Sequence, residues 1–203
     1  MPPVQELAEG LWWWEAVHPE WTDDTDAAAE GWGPEVSSYA IDDGEQLLLI
    51  DPTVLPEPVE ELAASRETAI VLTCPWHRRD APELAQRIGA QIYVPPPDEG
   101  DPSPVEGHVF RAGEKLPVGV EAFPGMEPND LVLWIESRGA LVAGDTLIDR
   151  GKGLVFPADW ANKGVPPEQI LASLQPLLEL PVELVLPTHG EPTDRAALKR
   201  ALS

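Results

Sequence analysis

Apolar residues along this chain fall into short blocks separated by polar, glycine- and proline-containing breaks, a pattern that predicts strands more often than helices. Residues 10–17, GLWWWEAV, are short and aromatic, as suits a strand. Residues 18–33 then carry five acids, a proline and two glycines and read as a long loop. In VSSYAIDDGEQLLLID two apolar runs flank Asp43 and Gly44, a pair that tolerates the positive φ angles of a tight hairpin turn. PEPVEELAAS predicts a helix, TAIVLTCP a buried strand, APELAQRIG a helix and AQIYVPP another strand. That order implies crossover units of the α/β kind. Residues 95–104, with five prolines and three acids, form a surface loop.

HVFRAGEKL, VGVEAFPG, DLVLWIES and ALVAGDTLI read as mostly β, with a turn at Ser137, Arg138 and Gly139 between the last two. Residues 166–180 predict a helix that Pro176 ends or kinks. VELVLPTHG is the last strand, and TDRAALKRAL is the closing helix, capped by Thr193 or Asp194. In the tryptophan triplet, alternation sets Trp12 and Trp14 on one face and Trp13 on the other, so at least one belongs to the core.

Charge narrows the partners. The 203 residues hold 36 Asp and Glu against 13 Lys and Arg, a formal net charge of −23. Phosphate backbones and anionic lipid surfaces are repelled by such a chain, so neither nucleic acid nor membrane is an expected partner. The acid surplus, with only four lysines, also resembles proteins of salt-rich cytoplasm. Cys74 is the only cysteine, no apolar run is long enough to span a bilayer, and the first residues lack a signal-like pattern. One domain over residues 1–203 and a cytoplasmic location are the expectations.

Candidate chemistry gathers where apolar runs stop, since loops on a rigid sheet often carry sites. Asp51 follows LLLI, the loop from Cys74 to Asp80 follows AIVLT, Asp145 follows ALVAG, and His189 follows ELVLPT. Taken in order, YAIDDGEQLLLIDP, AIVLT with its polar loop, FPG, LVAGDTL and VLPTHGEP resemble the metallo-β-lactamase superfamily. The resemblance runs from about Gly10 to the final helix and implies an αββα sandwich. Hydrolytic members carry HxHxDH after the strand matching AIVLT, a His in a PGH turn, an Asp in GD and a last His, a set that holds two zinc ions.

Carried across residue by residue, the four HxHxDH positions fall on Cys74, Trp76, Arg78 and Arg79, and the PGH turn has Met126; Asp145 and His189 are retained. Indole and guanidinium do not bind zinc, so the resemblance implies a fold whose two-metal centre is eroded. The expectation is a hydrolase-like protein without its two-zinc centre and without a cofactor. It is either a silent protein that binds a small molecule or an enzyme of metal-poor chemistry. In this reading Arg78 or Arg79 supplies the positive charge that Asp145 lost, unless both face solvent, and Trp76 fills the vacated space.

A one-residue slip of the loop would bring His77 to a ligand position. His77, Asp145 and His189 would then hold one zinc or iron ion, and the chain would be a mononuclear hydrolase of esters, thioesters or amides. Cys74 is a buried structural thiol or, with His77 as base, a nucleophile. Asp51 is a structural carboxylate beside the site.

Overall fold

Alternation along the strands sorts the apolar side chains into three separate cores. The computed structural model describes residues 2–22, 33–161 and 164–203. The first sheet contains β1 (Val4–Ala8), β2 (Leu11–Val17), β3 (Glu35–Asp42), β4 (Gln46–Ile50), β5 (Glu67–Val71), β6 (Gln91–Val94) and β7 (His108–Val109), adjacent in that order. Helices α1 (Glu57–Ser65) and α2 (Ala81–Ile88) connect β4 to β5 and β5 to β6, which run parallel as the crossover pattern predicts. The second sheet contains β8 (Glu121–Pro124), β9 (Leu131–Ile135), β10 (Ala140–Gly144), β13 (Leu184–Pro187) and β14 (Thr193–Asp194), in the order β14, β13, β10, β9, β8. A small ribbon of β11 (Ile148–Asp149) and β12 (Leu154–Val155) lies outside both sheets. Helices α3 (Pro167–Leu174) and α4 (Arg195–Ala201) complete the described elements.

On β4, Leu48 and Ile50 enter one core and Leu47 and Leu49 another. On β9, Leu131, Leu133 and Ile135 enter that same first core, while Val132 and Trp134 enter a third. The first core therefore lies between the two sheets. The others lie between the first sheet and α1 and α2, through Val59, Ala63, Ala81 and Leu84, and between the second sheet and α3 and α4, through Ile170, Leu174, Ala197 and Leu198. Sheets covered on both faces are apolar at successive positions, which is why LLLI and LVLWI do not alternate with polar residues. The result is the expected four-layer αββα arrangement.

Several local expectations agree with this structure. The turn at Asp43 and Gly44 joins β3 to β4, fixed by the Asp43 carboxylate accepting from the Glu45 and Gln46 backbone. Asp194 caps α4 by accepting from Ala197 N–H at 2.9 Å. The predicted helix at 166–180 ends at Leu174 and tightens into a 3-10 turn containing Pro176. Trp14 is buried with the helices of the first sheet, beside Trp12, whereas Trp13 faces the core between sheets. Strand β1 was not expected; it pairs with β2 across a two-residue turn. Most of the acidic loop predicted for residues 18–33, including Trp32, lies outside the described residues. No helix among the described residues is long and apolar enough to cross a membrane.

Parallel pairing has a consequence for chemistry. β4 and β5 run parallel in the first sheet and β10 and β13 in the second, so all four strands end at one edge of the sandwich. Backbone bonds tie the sheets together there, from Ser37 N–H to Thr188 O at 2.9 Å and from Leu131 N–H to Thr73 O at 2.8 Å.

Candidate functional site

Four strand ends converge at this edge, and each delivers a polar group into a largely water-free environment. After β4 the backbone of Asp51 takes a left-handed conformation, φ 45°, which is unusual outside glycine. Its fully buried carboxylate accepts from Thr73 N–H at 2.9 Å and Thr73 Oγ1–H at 2.5 Å, and lies 3.0 Å from His77 Nδ1. Burial alone would raise the Asp51 pKa. The His77 charge and hydrogen bond, then Arg79 and Thr73, outweigh burial and lower it.

After β5 the chain leaves the sheet at Val71, and residues 74–80 form turns, with His77 N–H on Cys74 O and Ala81 N–H on Arg78 O. Strand alternation no longer governs these side chains, so His77 points inward although it is not one of the positions aligned from Thr73. His77 is 4% exposed, with Nδ1 toward Asp51 and Nε2 3.2 Å from Asp145 Oδ1. Burial disfavours its charged form, but the two carboxylates outweigh burial and raise its pKa to about 9. That shift favours the charged form of His77 between the two carboxylates at neutral pH.

Asp145, after β10, is the most heavily engaged group. Its Oδ2 accepts from Trp76 Nε1–H at 2.7 Å; near Oδ1 lie His77 Nε2, Thr188 Oγ1 at 3.2 Å and His189 Nε2 at 3.5 Å. Burial raises the Asp145 pKa, yet His77, His189 and Trp76 together drive it below the carboxylate range. His189, after β13, shifts the other way: burial, with the His77 and Arg79 charges, lowers its pKa to about 3 against the pull of Asp145. It is neutral at pH 7. Cys74 is fully buried, and burial followed by the charges of Asp145, Asp51 and Asp130 raises its thiol pKa well above the ordinary value, so it is a thiol and a poor nucleophile.

The two arginines separate. Arg78 turns outward to Glu83, at 2.6 Å. Arg79 is 2% exposed, and its Nη1 donates to the carbonyls of Ser37 and Asp51, each at 2.7 Å. Neither guanidinium is bonded to Asp145. The expected pairing of an arginine with that carboxylate is thus corrected: His77 is the residue beside it, because the turn aims the imidazole inward and Arg78 outward.

Sequence reasoning missed Asp130. It is buried at the start of β9, where its Oδ1 accepts from Asp145 N–H at 3.2 Å and its Oδ2 from Thr146 Oγ1–H at 2.6 Å. Burial, then the Asp145 charge, raises its pKa, so it is the protonated partner beside an ionised one. A search restricted to strand ends passes over a strand start; the only signal was an Asp directly before the apolar run LVLWI. Gly144 lies against it: φ is +56°, and a Cβ there would come within 2.6 Å of Asp130 Oδ1. The glycine of GD is thus a packing requirement of this carboxylate.

Above these groups opens a cavity of about 700 Å³. Its wall includes His77, Arg79, Asp145 and His189 inside, and Trp76, Met126 and Trp160 as apolar surface. Trp76 is 42% exposed, so its indole forms part of the wall rather than a buried plug. Met126 N–H is fixed on Thr146 Oγ1 at 2.9 Å. His18 also lines this cavity, and the Trp160 ring stands 5.5 Å from that of His189, edge to face.

The family model for the metallo-beta-lactamase superfamily matches residues 59–189. The chain belongs to the metallo-β-lactamase superfamily. Solved structures agree in fold. DIM-1 metallo-beta-lactamase is 16% identical with a TM-score of 0.71, over 99% of this chain and 95% of that one. The metallo-beta-lactamase from Pontibacter korlensis is 16% identical with a TM-score of 0.67, over 100% and 97%. TTHA1623, solved in a di-iron-bound form, is 26% identical with a TM-score of 0.63, over 83% of this chain and 95% of that one. No curated protein sequence matches the chain.

The superfamily implies two metal ions, and the indole of Trp76 and the guanidinium groups of Arg78 and Arg79 offer them no lone pair. Arg78 stands at the exposed surface, Trp76 gives an N–H to Asp145, and His77 faces Asp51 and Thr73 with Nδ1 and Asp145 with Nε2. A smaller cluster is chemically closer to a metal site: Cys74, His77 and Asp145 offer ligand atoms within 4.8 Å of one another.

Proposed function

We propose that this chain is a hydrolase-like superfamily member that has exchanged its two-metal centre for a fixed proton-bearing group, and that its cavity receives a small molecule. The observation that carries the reading is His77 between Asp51 and Asp145, 3.0 and 3.2 Å away. Its one positive charge balances buried carboxylates that the two dications would otherwise balance. Trp76 adds a hydrogen bond to the outer oxygen of Asp145 and an aromatic surface to the cavity. The volume of about 700 Å³ suits a small organic ligand. Elemental analysis of protein purified without chelator tests the reading: metal well below one ion per chain is expected, and two ions per chain, lost with EDTA together with hydrolysis of an ester or thioester, overturns it.

A second reading rests on the proximity of Cys74, His77 and Asp145. With His77 deprotonated, thiolate, imidazole and carboxylate form a donor set for one zinc or iron ion, with His189 beside it. One ion per chain in the same measurement selects this mononuclear form.

A further inference from the structure

Arg79 is the buried group whose bonding is incomplete. Its Nη1 is taken up by the carbonyls of Ser37 and Asp51. Its Nε and Nη2 are screened from solvent and have no hydrogen-bond partner among the described residues. These two nitrogens share one edge of the planar guanidinium and form the fork that matches the two oxygens of a carboxylate. A charged donor left unpaired in a protein interior is costly.

The nearby acids do not fill the fork. The Asp51 oxygens are engaged by Thr73 and His77, and those of Asp145 by Trp76, His77, Thr188 and His189. At the cavity rim Asp98 accepts from Asn129 and Asp159 pairs with Arg150. The cavity wall also carries the acids Asp98, Glu127, Asp145 and Asp159, and among its described lining residues Arg79 is the one with a guanidinium edge left for an anion. Trp76, Met126 and Trp160 supply apolar surface to the same cavity.

We propose that the cavity binds a small organic carboxylate whose oxygens take the Nε and Nη2 edge of Arg79 while its apolar body lies against Trp76 and Trp160. This deepens the proposed function and rests on its claim that the cavity receives a small molecule. Because the edge is screened, the ligand must shift a neighbouring side chain to reach it, and the bidentate bond offsets that cost. An anion of apolar body is favoured over a bare one, since the aromatic wall contributes only to the former.

The test uses the full-length protein, 15N-labelled, with benzoate as probe and the Arg79 Nε–H resonance as readout. A saturable shift of that resonance is expected, with benzamide, acetate and inorganic phosphate each at least about tenfold weaker. Arg79→Lys keeps the charge but not the fork and is expected to weaken benzoate by about tenfold or more. Absence of a saturable shift, equal binding of benzamide, or unchanged affinity in a folded Arg79→Lys protein overturns the proposal. Should that variant not fold, the wild-type comparison of benzoate with benzamide decides. Metal content of the same sample separates the two ideas: metal-free protein that ignores benzoate overturns this inference alone, whereas two bound ions overturn the metal-free reading whatever benzoate does.

Discussion

The two sheets bring different kinds of chemistry to their shared edge. From the second, β10 and β13 present Asp145 and His189, the residue types and positions expected from the superfamily. From the first, the loop after β5 presents Trp76, His77 and Arg79, an indole and two cationic groups, to the same space. One side presents residues of ligand type and the other an N–H donor and basic side chains. Buried carboxylates must be electrically balanced, and the loop contributes to that by placing His77 between Asp145 of the second sheet and Asp51 of its own.

The sharpest way to break this comparison is to remove the bridging cation. His77→Ala leaves Asp51 and Asp145 buried without their charge partner and is expected to cost about 3–5 kcal/mol, measured by urea unfolding. A loss under about 1 kcal/mol would show that the two carboxylates do not need it.

The same interaction has a pH signature. A histidine whose folded pKa is raised to about 9 contributes stability that is fully present below its unfolded value and fades as pH rises through about 9. The groups facing His77 are Asp51, Asp145, Arg79 and His189, and only the first two favour its charge. Stability is expected to fall by about 3 kcal/mol between pH 6 and pH 10, with the His77-dependent part absent from His77→Ala. Chemical unfolding across that range measures it; parallel curves for the two proteins would contradict the assignment.

Smaller effects sharpen the contrast between side chains of the loop. Trp76→Phe keeps an aromatic ring but removes the N–H on Asp145, with an expected cost of about 1 kcal/mol and a rise in the Asp145 pKa visible by 13C NMR. Arg78→Ala removes only the exposed pair with Glu83 and is expected to stay within about 0.5 kcal/mol of wild type in thermal melts. An effect of Arg78 as large as that of His77 would return the charge-replacing role to the arginine.

Much of the scaffold was legible because local patterns and global fold agree. Apolar runs ending in Asp51, Asp145 and His189, the Asp43 turn and the Asp194 cap all carry their signals within a few residues. The site was legible only in part. His77 was weighed as an alternative to the aligned positions, because register counting from Thr73 assumes a strand that in fact ends at Val71. Arg78 and Arg79 were indistinguishable as neighbours of the same type, yet one is exposed and the other buried. Asp130 and His18 were passed over because their partners lie far away in sequence: Asp130 meets Asp145, and His18 reaches the cavity wall from the end of β2.

By itself the sequence determined the layers, the strand ends and the residue types that stand at them, since hydrophobic period, turn chemistry and residue type are properties of short segments. Only the tertiary structure decided which cation meets which carboxylate. That choice depends on where a turn aims each side chain and on how burial sets the balance between charges, quantities that exist only once distant strands share an edge.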